Sequence, residues 1–279
     1  MNNLDHHLYC LPSSLSMEAP SSWISRAALS QGETTTALLD HLGINRDMDI
    51  DIAIALADQE RIRKIGGLPE HHLDLSIRVL RNLVRSKCDL TRFLMQSKPR
   101  GQPRFRFCPY CLSWGPTPSF PIHWRFAAFR FCPDHDCMLE EQCHACKADI
   151  NGAVSLINAG PKGSGIAFLR QCTTCGADLR KVPVISQHEA FSLMGSMEQK
   201  LMRNGRAVLA ALFTGRVVVS ETPGFNHGLS KLDKLDRMKL LPNSMEWNST
   251  ELLKRKLVRR FRQHAKEWGI DQAQINRFK

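Results

Sequence analysis

Eight residues of this chain could bind metal, and their spacing sorts them into two sets of four. The first is Cys108-Pro-Tyr-Cys111 followed by Cys132-Pro-Asp-His135. The second is Cys143-His-Ala-Cys146 followed by Cys172-Thr-Thr-Cys175. A two-residue gap lets one tight turn aim both donors at one ion, and two such knuckles complete the tetrahedron that zinc favours. Each set is closed, with three or four thiolates and no position left for water or substrate. A hydrolytic zinc keeps three protein ligands and an open site. The pattern therefore predicts two structural Zn2+ ions that stabilise a region poor in large apolar side chains. Cys10, Cys88 and Cys137 remain. They read as inert thiols, although Cys137, two residues past His135, is placed to substitute as a ligand.

The chain carries no Walker A loop, Gly-x-Gly-x-x-Gly, Gly-x-Ser-x-Gly or His-Glu-x-x-His motif, and its carboxylates are scattered. No catalytic residue is expected. His6-His7 and His71-His72 read as exposed polar pairs, and His188, His227 and His264 carry no motif. An apolar fraction of 43% over 279 residues suffices for real cores. There is no apolar run of about 18 residues to span a membrane. The N-terminus lacks the charged and then apolar pattern of a secretory signal. A cytoplasmic location is expected. In such a reducing compartment a CxxC pair means metal more often than disulfide.

A net charge of +11 suggests a polyanionic partner. Residues 76–106 hold nine basic residues against one acidic, and residues 251–279 hold nine against three. The candidate nucleic-acid contacts are Arg78, Arg81, Arg85, Arg100, Arg104 and Arg106 in the first patch, and Lys254, Arg255, Arg259, Arg260 and Arg262 in the second. A solvated helix face or a protein-binding surface is the alternative reading of each patch.

Hydrophobic periodicity and capping signals must supply the elements that hold these residues. The fold expected is mainly α with a small zinc-ribbon-like β region. Residues 1–100 form an N-terminal helical region, 101–181 a double zinc-knuckle domain, and 182–279 a basic C-terminal helical region. Ser21 or Ser22 can cap a first helix that ends at Gly32, and a second runs over about 35–42 to Gly43, a helix–turn–helix-like spacing. Residues 47–61 and 73–85 supply two more helices, the latter with a stripe of Leu73, Ile77, Leu80 and Val84. Residues 98–104 read as a linker. Residues 154–157 and 166–169 read as a hairpin presenting the second metal set, and the aromatics of 124–131 as packing for the first ion. Helices over 187–202, 206–213, 230–241 and onward from Ser249 complete the reading.

The combination Cys108-Pro-Tyr-Cys111-Leu, Trp124-Arg, Cys132-Pro-Asp-His135, Leu139 and Cys143-x-x-Cys146 resembles the TniQ/TnsD family. So does Glu18-Ala-Pro-Ser-Ser-Trp-Ile-Ser-Arg-Ala-Ala, where the family has an acidic residue before Leu-Ser-Ser-Trp-Leu-x-Arg. Asp136 and Cys137 follow the histidine where the family usually has Gly, and Lys147 stands where Gly often follows the third knuckle. The resemblance covers roughly residues 8–180. It implies a target-selection factor for DNA transposons that neither cuts nor joins DNA, with a zinc-bearing domain behind helix–turn–helix helices. Such proteins recruit an AAA+ ATPase regulator of the transposase. Some members recognise target DNA directly. Others bind a CRISPR RNA-guided surveillance complex, sometimes as a dimer. Two other readings stand beside this one: a zinc-dependent DNA-binding transcription regulator, and an enzyme with structural zinc.

Overall fold

The computed structural model describes residue 8 and residues 11–87, 89–97, 101–127, 129–132, 134–163, 165–186, 211–218 and 226–228. Its described part is mainly helical. Helix α1 (Pro20–Ser30) starts on a proline, whose fixed φ suits a first turn and whose missing N–H is not needed there. Neither serine caps it, contrary to expectation: the N-cap is Ala19, and Ser21 and Ser22 are buried inside the first turn. The Ser22 hydroxyl instead donates to Glu18 Oε1 (2.9 Å) and accepts from the Phe120 N–H (2.9 Å). Helix α2 (Thr35–Leu42) runs as expected, capped by Thr34 and closed by Gly43 in the left-handed region at φ 68.

The single helix expected over 47–61 is two, α3 (Ile50–Leu56) and α4 (Gln59–Gly66). The break has a local cause. Asp58 accepts from the N–H groups of Glu60 and Arg61 and so starts a new helix, while Ala57 is extended. Helix α5 (Asp74–Arg85) buries Ile77, Val79, Leu80 and Leu83.

After the short α6 (Leu90–Phe93) the chain forms β1 (Gln96–Ser97) and β2 (Gln102–Phe105). These pair antiparallel, Gln96 opposite Pro103, and β2 pairs in turn with β3 (Ile150–Asn151), Phe105 opposite Ile150. The stretch read as a linker thus runs into β2 itself, with Gly101 at φ 63 just ahead of the strand. Gly and Pro mark hairpin turns as readily as linkers. The sheet order is β1-β2-β3. The zinc-ribbon hairpin expected from 154–157 and 166–169 is absent. That stretch is held by the Ala167 N–H to Leu156 O bond (2.8 Å) and an isolated bridge between Ala159 and Gly165.

One buried cluster runs from α1 through the sheet to the metal knuckles, joining Trp23, Leu80, Phe105, Phe107, Trp124, Phe126 and four of the ligand cysteines. Gly152 packs so closely on α1 that a Cβ there would overlap Ser21 and Phe105. Residues 211–214 are helical, and Asn82 Nδ2 donates to Leu212 O (2.6 Å). The helices expected over 187–202, 230–241 and beyond Ser249 lie outside the described residues. No described helix is long and apolar enough to cross a membrane.

Candidate metal centres

Three of the four knuckles share one local construction. In each, the N–H of the first cysteine donates to the carbonyl five residues on: Cys132 to Cys137 (2.8 Å), Cys143 to Ala148 (2.9 Å) and Cys172 to Ala177 (2.9 Å). A β-bridge closes each turn, 131–138, 142–149 and 171–178. The fourth residue after the first cysteine takes a positive φ: Asp136 at 43, Lys147 at 62 and Gly176 at 77. This is why glycine suits the position, and why Asp136 and Lys147 hold it at a cost of about 1 kcal/mol each. The remaining knuckle opens into α7 (Cys111–Trp114).

Cys108, Cys111, Cys132 and His135 place their ligand atoms within 4.8 Å of one another, as do Cys143, Cys146, Cys172 and Cys175. His135 presents Nδ1, at 3.6, 3.2 and 3.4 Å from the sulfurs of Cys108, Cys111 and Cys132. In the second set the Cys143–Cys175 and Cys146–Cys172 sulfurs are each 3.6 Å apart. Four sulfurs at about 2.3 Å from one zinc would stand about 3.8 Å apart, so both quartets fit a tetrahedral ion. The electrostatics agree. Hydrogen bonding among the crowded thiols holds Cys108 well below the usual thiol range, while hydrogen bonds with Cys108 and Cys132 push Cys111 up. Hydrogen bonding with Cys108 is also the main cause that raises Cys132, to about 11. Adjacent thiolates repel, and a dication is what allows them all to ionise. Cys175 is lowered to about 7, chiefly by the Ala177 N–H.

Trp124, Phe126 and Phe129 lie in the same buried cluster as Cys108 and Cys132, while two aromatics outside 124–131 stand against His135. Trp124 is buried with its ring 6.0 Å from that of Phe120. The rings against His135 are Tyr110 (5.6 Å) and Trp114 (5.2 Å), and Trp114 is 83% exposed. His135 Nε2 is buried without a hydrogen-bond partner.

The basic candidates separate sharply. Arg78 and Arg85 are exposed. Arg81 is half-buried, its Nε donating to Ala55 O (2.7 Å). Arg104 pairs with Asp149 (3.0 Å) and Glu141 (3.5 Å). Arg106 is corrected outright: it is fully buried, and Nη1 donates to the carbonyls of Phe126, Ala127 and Phe129. It braces the loop ahead of Cys132 and offers nothing to a phosphate. Arg100, Lys254, Arg255, Arg259, Arg260 and Arg262 lie outside the described residues.

Three buried arrangements escaped the sequence reading. Arg125 donates to Asp49 through both nitrogens (3.0 and 2.5 Å), to Asp51 (2.6 Å) and to Met95 O (3.2 Å). This ties α3 to the 3-10 turn Ile122–Arg125 ahead of the knuckles. Glu18, fully buried, accepts two bonds from Arg26 (2.8 and 2.6 Å), one from Ser22 and one from the Leu15 N–H. His72, expected to be exposed, is buried edge-on to Trp23 at 4.5 Å, and burial lowers its pKa to about 4. His71 does lie exposed.

The TniQ family model matches residues 10–139. The match takes in the first quartet, the Glu18–Arg26 pair and Arg125, and stops short of the second quartet. No curated protein matches the chain. The chain thus carries a TniQ domain over residues 10–139.

Proposed function

We propose that this protein is a non-catalytic adaptor in DNA transposition, which selects the target site and recruits an AAA+ ATPase regulator of the transposase. The observation that carries this is the pair of closed quartets set into one buried core with the TniQ helices. Two structural Zn2+ ions cross-link the knuckles there, and the chain's own residues do the rest. Arg106 and Arg125 fasten the loops between knuckles to the sheet and to α3, which leaves one rigid platform for docking. Target DNA is reached through the exposed cations, Arg78 and Arg85 first, or through a CRISPR RNA-guided surveillance complex bound to the same platform, with a second copy of the chain completing it.

The transcription-regulator reading is less well supported. The exposed face of α2, where a helix–turn–helix protein would read bases, consists of Thr36, Ala37, Asp40 and His41. It carries no Lys or Arg, and Asp40 pairs with Arg46 (2.9 Å). An independent reader discriminates its site by several kcal/mol and needs phosphate contacts beside the bases.

The deciding experiment is co-purification with the ATPase encoded beside the same transposase, followed by DNA binding with and without it. An adaptor binds the ATPase and shows modest DNA affinity alone. Tight binding of one operator by the isolated protein, with no ATPase association, overturns the proposal.

A further inference from the structure

A fifth donor, the thiol of Cys137, stands beside the four of the first quartet, and a tetrahedron takes four. Cys137 Sγ lies 3.5 Å from Cys108 Sγ, the separation that also holds between the ligand sulfurs of Cys111 and Cys132. Cys137 is buried, 1% exposed. It does not belong to the quartet whose atoms all lie within 4.8 Å of one another. It adjoins the Cys108 corner of that quartet. Its backbone is pinned, since Cys137 O accepts from the Cys132 N–H (2.8 Å) and the residue bridges Ser186. Rotation about its own Cα–Cβ bond is the freedom that remains to its sulfur.

The knuckle does not need a thiol at this place. Ala148 and Ala177 occupy the equivalent position, with carbonyls that accept the same bond. The sulfur of Cys137 is therefore surplus to the turn and has been set beside one particular ligand.

We propose that Cys137 is a reserve ligand for the Cys108 corner of the first metal centre. With Cys108 in place, the Cys137 S–H donates to the Cys108 thiolate. When Cys108 is lost as a ligand, Cys137 gives its proton to solvent, swings into the vacated corner and restores three thiolates and one imidazole. The donor set and its charge are unchanged by the exchange, so the knuckles keep their geometry. Cys111, at another corner of the same quartet, has no such neighbour among the described residues. The proposal rests on the structural-zinc reading above.

The test counts ions per full-length chain by elemental analysis and records the spectrum of the cobalt(II)-loaded protein, which reports the number of thiolates. Wild type holds two ions; a count below two overturns the zinc reading itself and is distinguished by this control. Cys111→Ala holds one. Cys108→Ala holds two, with a three-thiolate spectrum at the first centre, and Cys108→Ala with Cys137→Ala holds one. A Cys108→Ala chain that loses its ion as Cys111→Ala does overturns the proposal. If Cys108→Ala fails to fold, the Cys137→Ala chain, with alanine as in the sister knuckles, is challenged with a chelator. Loss of the outer partner of a ligand weakens binding roughly 10–100-fold, and release of the first ion indistinguishable from wild type overturns the proposal.

Discussion

Replacing Arg125 by alanine should be among the most damaging single changes in the chain, although it touches no metal ligand. The guanidinium is fully buried and makes four hydrogen bonds, three of them to Asp49 and Asp51. Removing it leaves two carboxylates in the core. Asp49 keeps its cap bonds from the N–H groups of Asp51 and Ile52. Asp51, fully buried, keeps the Ser21 N–H at 2.5 Å. Breaking a buried pair by deleting one partner costs about 3–5 kcal/mol, against about 5–15 kcal/mol for a whole domain.

The assay is urea denaturation at fixed free zinc, followed by tryptophan fluorescence. Trp23 and Trp124 both report on this core. The pH dependence carries the electrostatic content. Burial already raises the Asp51 pKa in wild type, with Arg125 opposing the shift and Asp49 adding to it. Without Arg125 the folded-state pKa rises further, so the folded variant binds a proton more tightly than its unfolded chain. Acidification through that folded pKa therefore stabilises the variant relative to wild type, and the deficit shrinks as the pH falls. Pairing Arg125→Met with Asp51→Asn should recover at least half of the loss, since a buried ion pair exchanged for neutral groups is often near neutral in stability. A deficit below about 1 kcal/mol, or one that grows on acidification, refutes the reasoning.

Four further outcomes are expected. Cys111→Ser should lose one of two ions and unfold residues 105–180, because structural zinc contributes on the order of 10 kcal/mol; near-wild-type melting with one ion lost contradicts it. Trp124→Ala should cost about 3–5 kcal/mol and Trp114→Ala under about 0.5, since the first ring is buried and the second is 83% exposed; equal melting shifts would contradict the packing. Arg78→Ala with Arg85→Ala should weaken DNA binding uniformly across sequences and reduce the salt slope by about 2, with an unchanged slope moving both arginines to a protein-contact role. His72→Leu should remove an acid sensitivity: the histidine falls from 6.5 to about 4 on folding, so the unfolded chain binds more protons and wild type loses about 3 kcal/mol relative to the variant between those pH values. Parallel melting curves across that window would show that His72 is solvated.

What was legible in the chain was what is local. A knuckle is a closed turn of six residues, and its cysteines, its bridge and its left-handed fourth position all fall within one short window. The two quartets could therefore be paired by spacing, and the structure brings each together. The stripe of α5 and the Thr34–Gly43 bracket of α2 were legible for the same reason. The misreadings arose where one residue type serves two local purposes. Asp58 could be a mid-helix surface residue or a cap, Gly101 a linker or a hairpin turn, and Ser21 a cap or a buried first-turn residue.

Charge misled for a different reason. Arg78 and Arg106 count alike in a basic patch, yet Arg78 is exposed and Arg106 is fully buried with three carbonyls to itself. Nothing near Arg106 in sequence announces those acceptors, which lie 20 to 23 residues on. Arg125 reaches across 74 and 76 residues to its carboxylates. Each of these arginines is satisfied at long range, beside a knuckle whose own turn is satisfied locally. The division has a mechanical consequence. Each knuckle's shape is fixed by its own turn, while Arg125 ties α3 to the turn ahead of the first centre and Arg106 braces the loop before Cys132. On the adaptor reading proposed above, holding several surfaces in fixed register would depend on those two guanidinium groups as directly as on the cysteines.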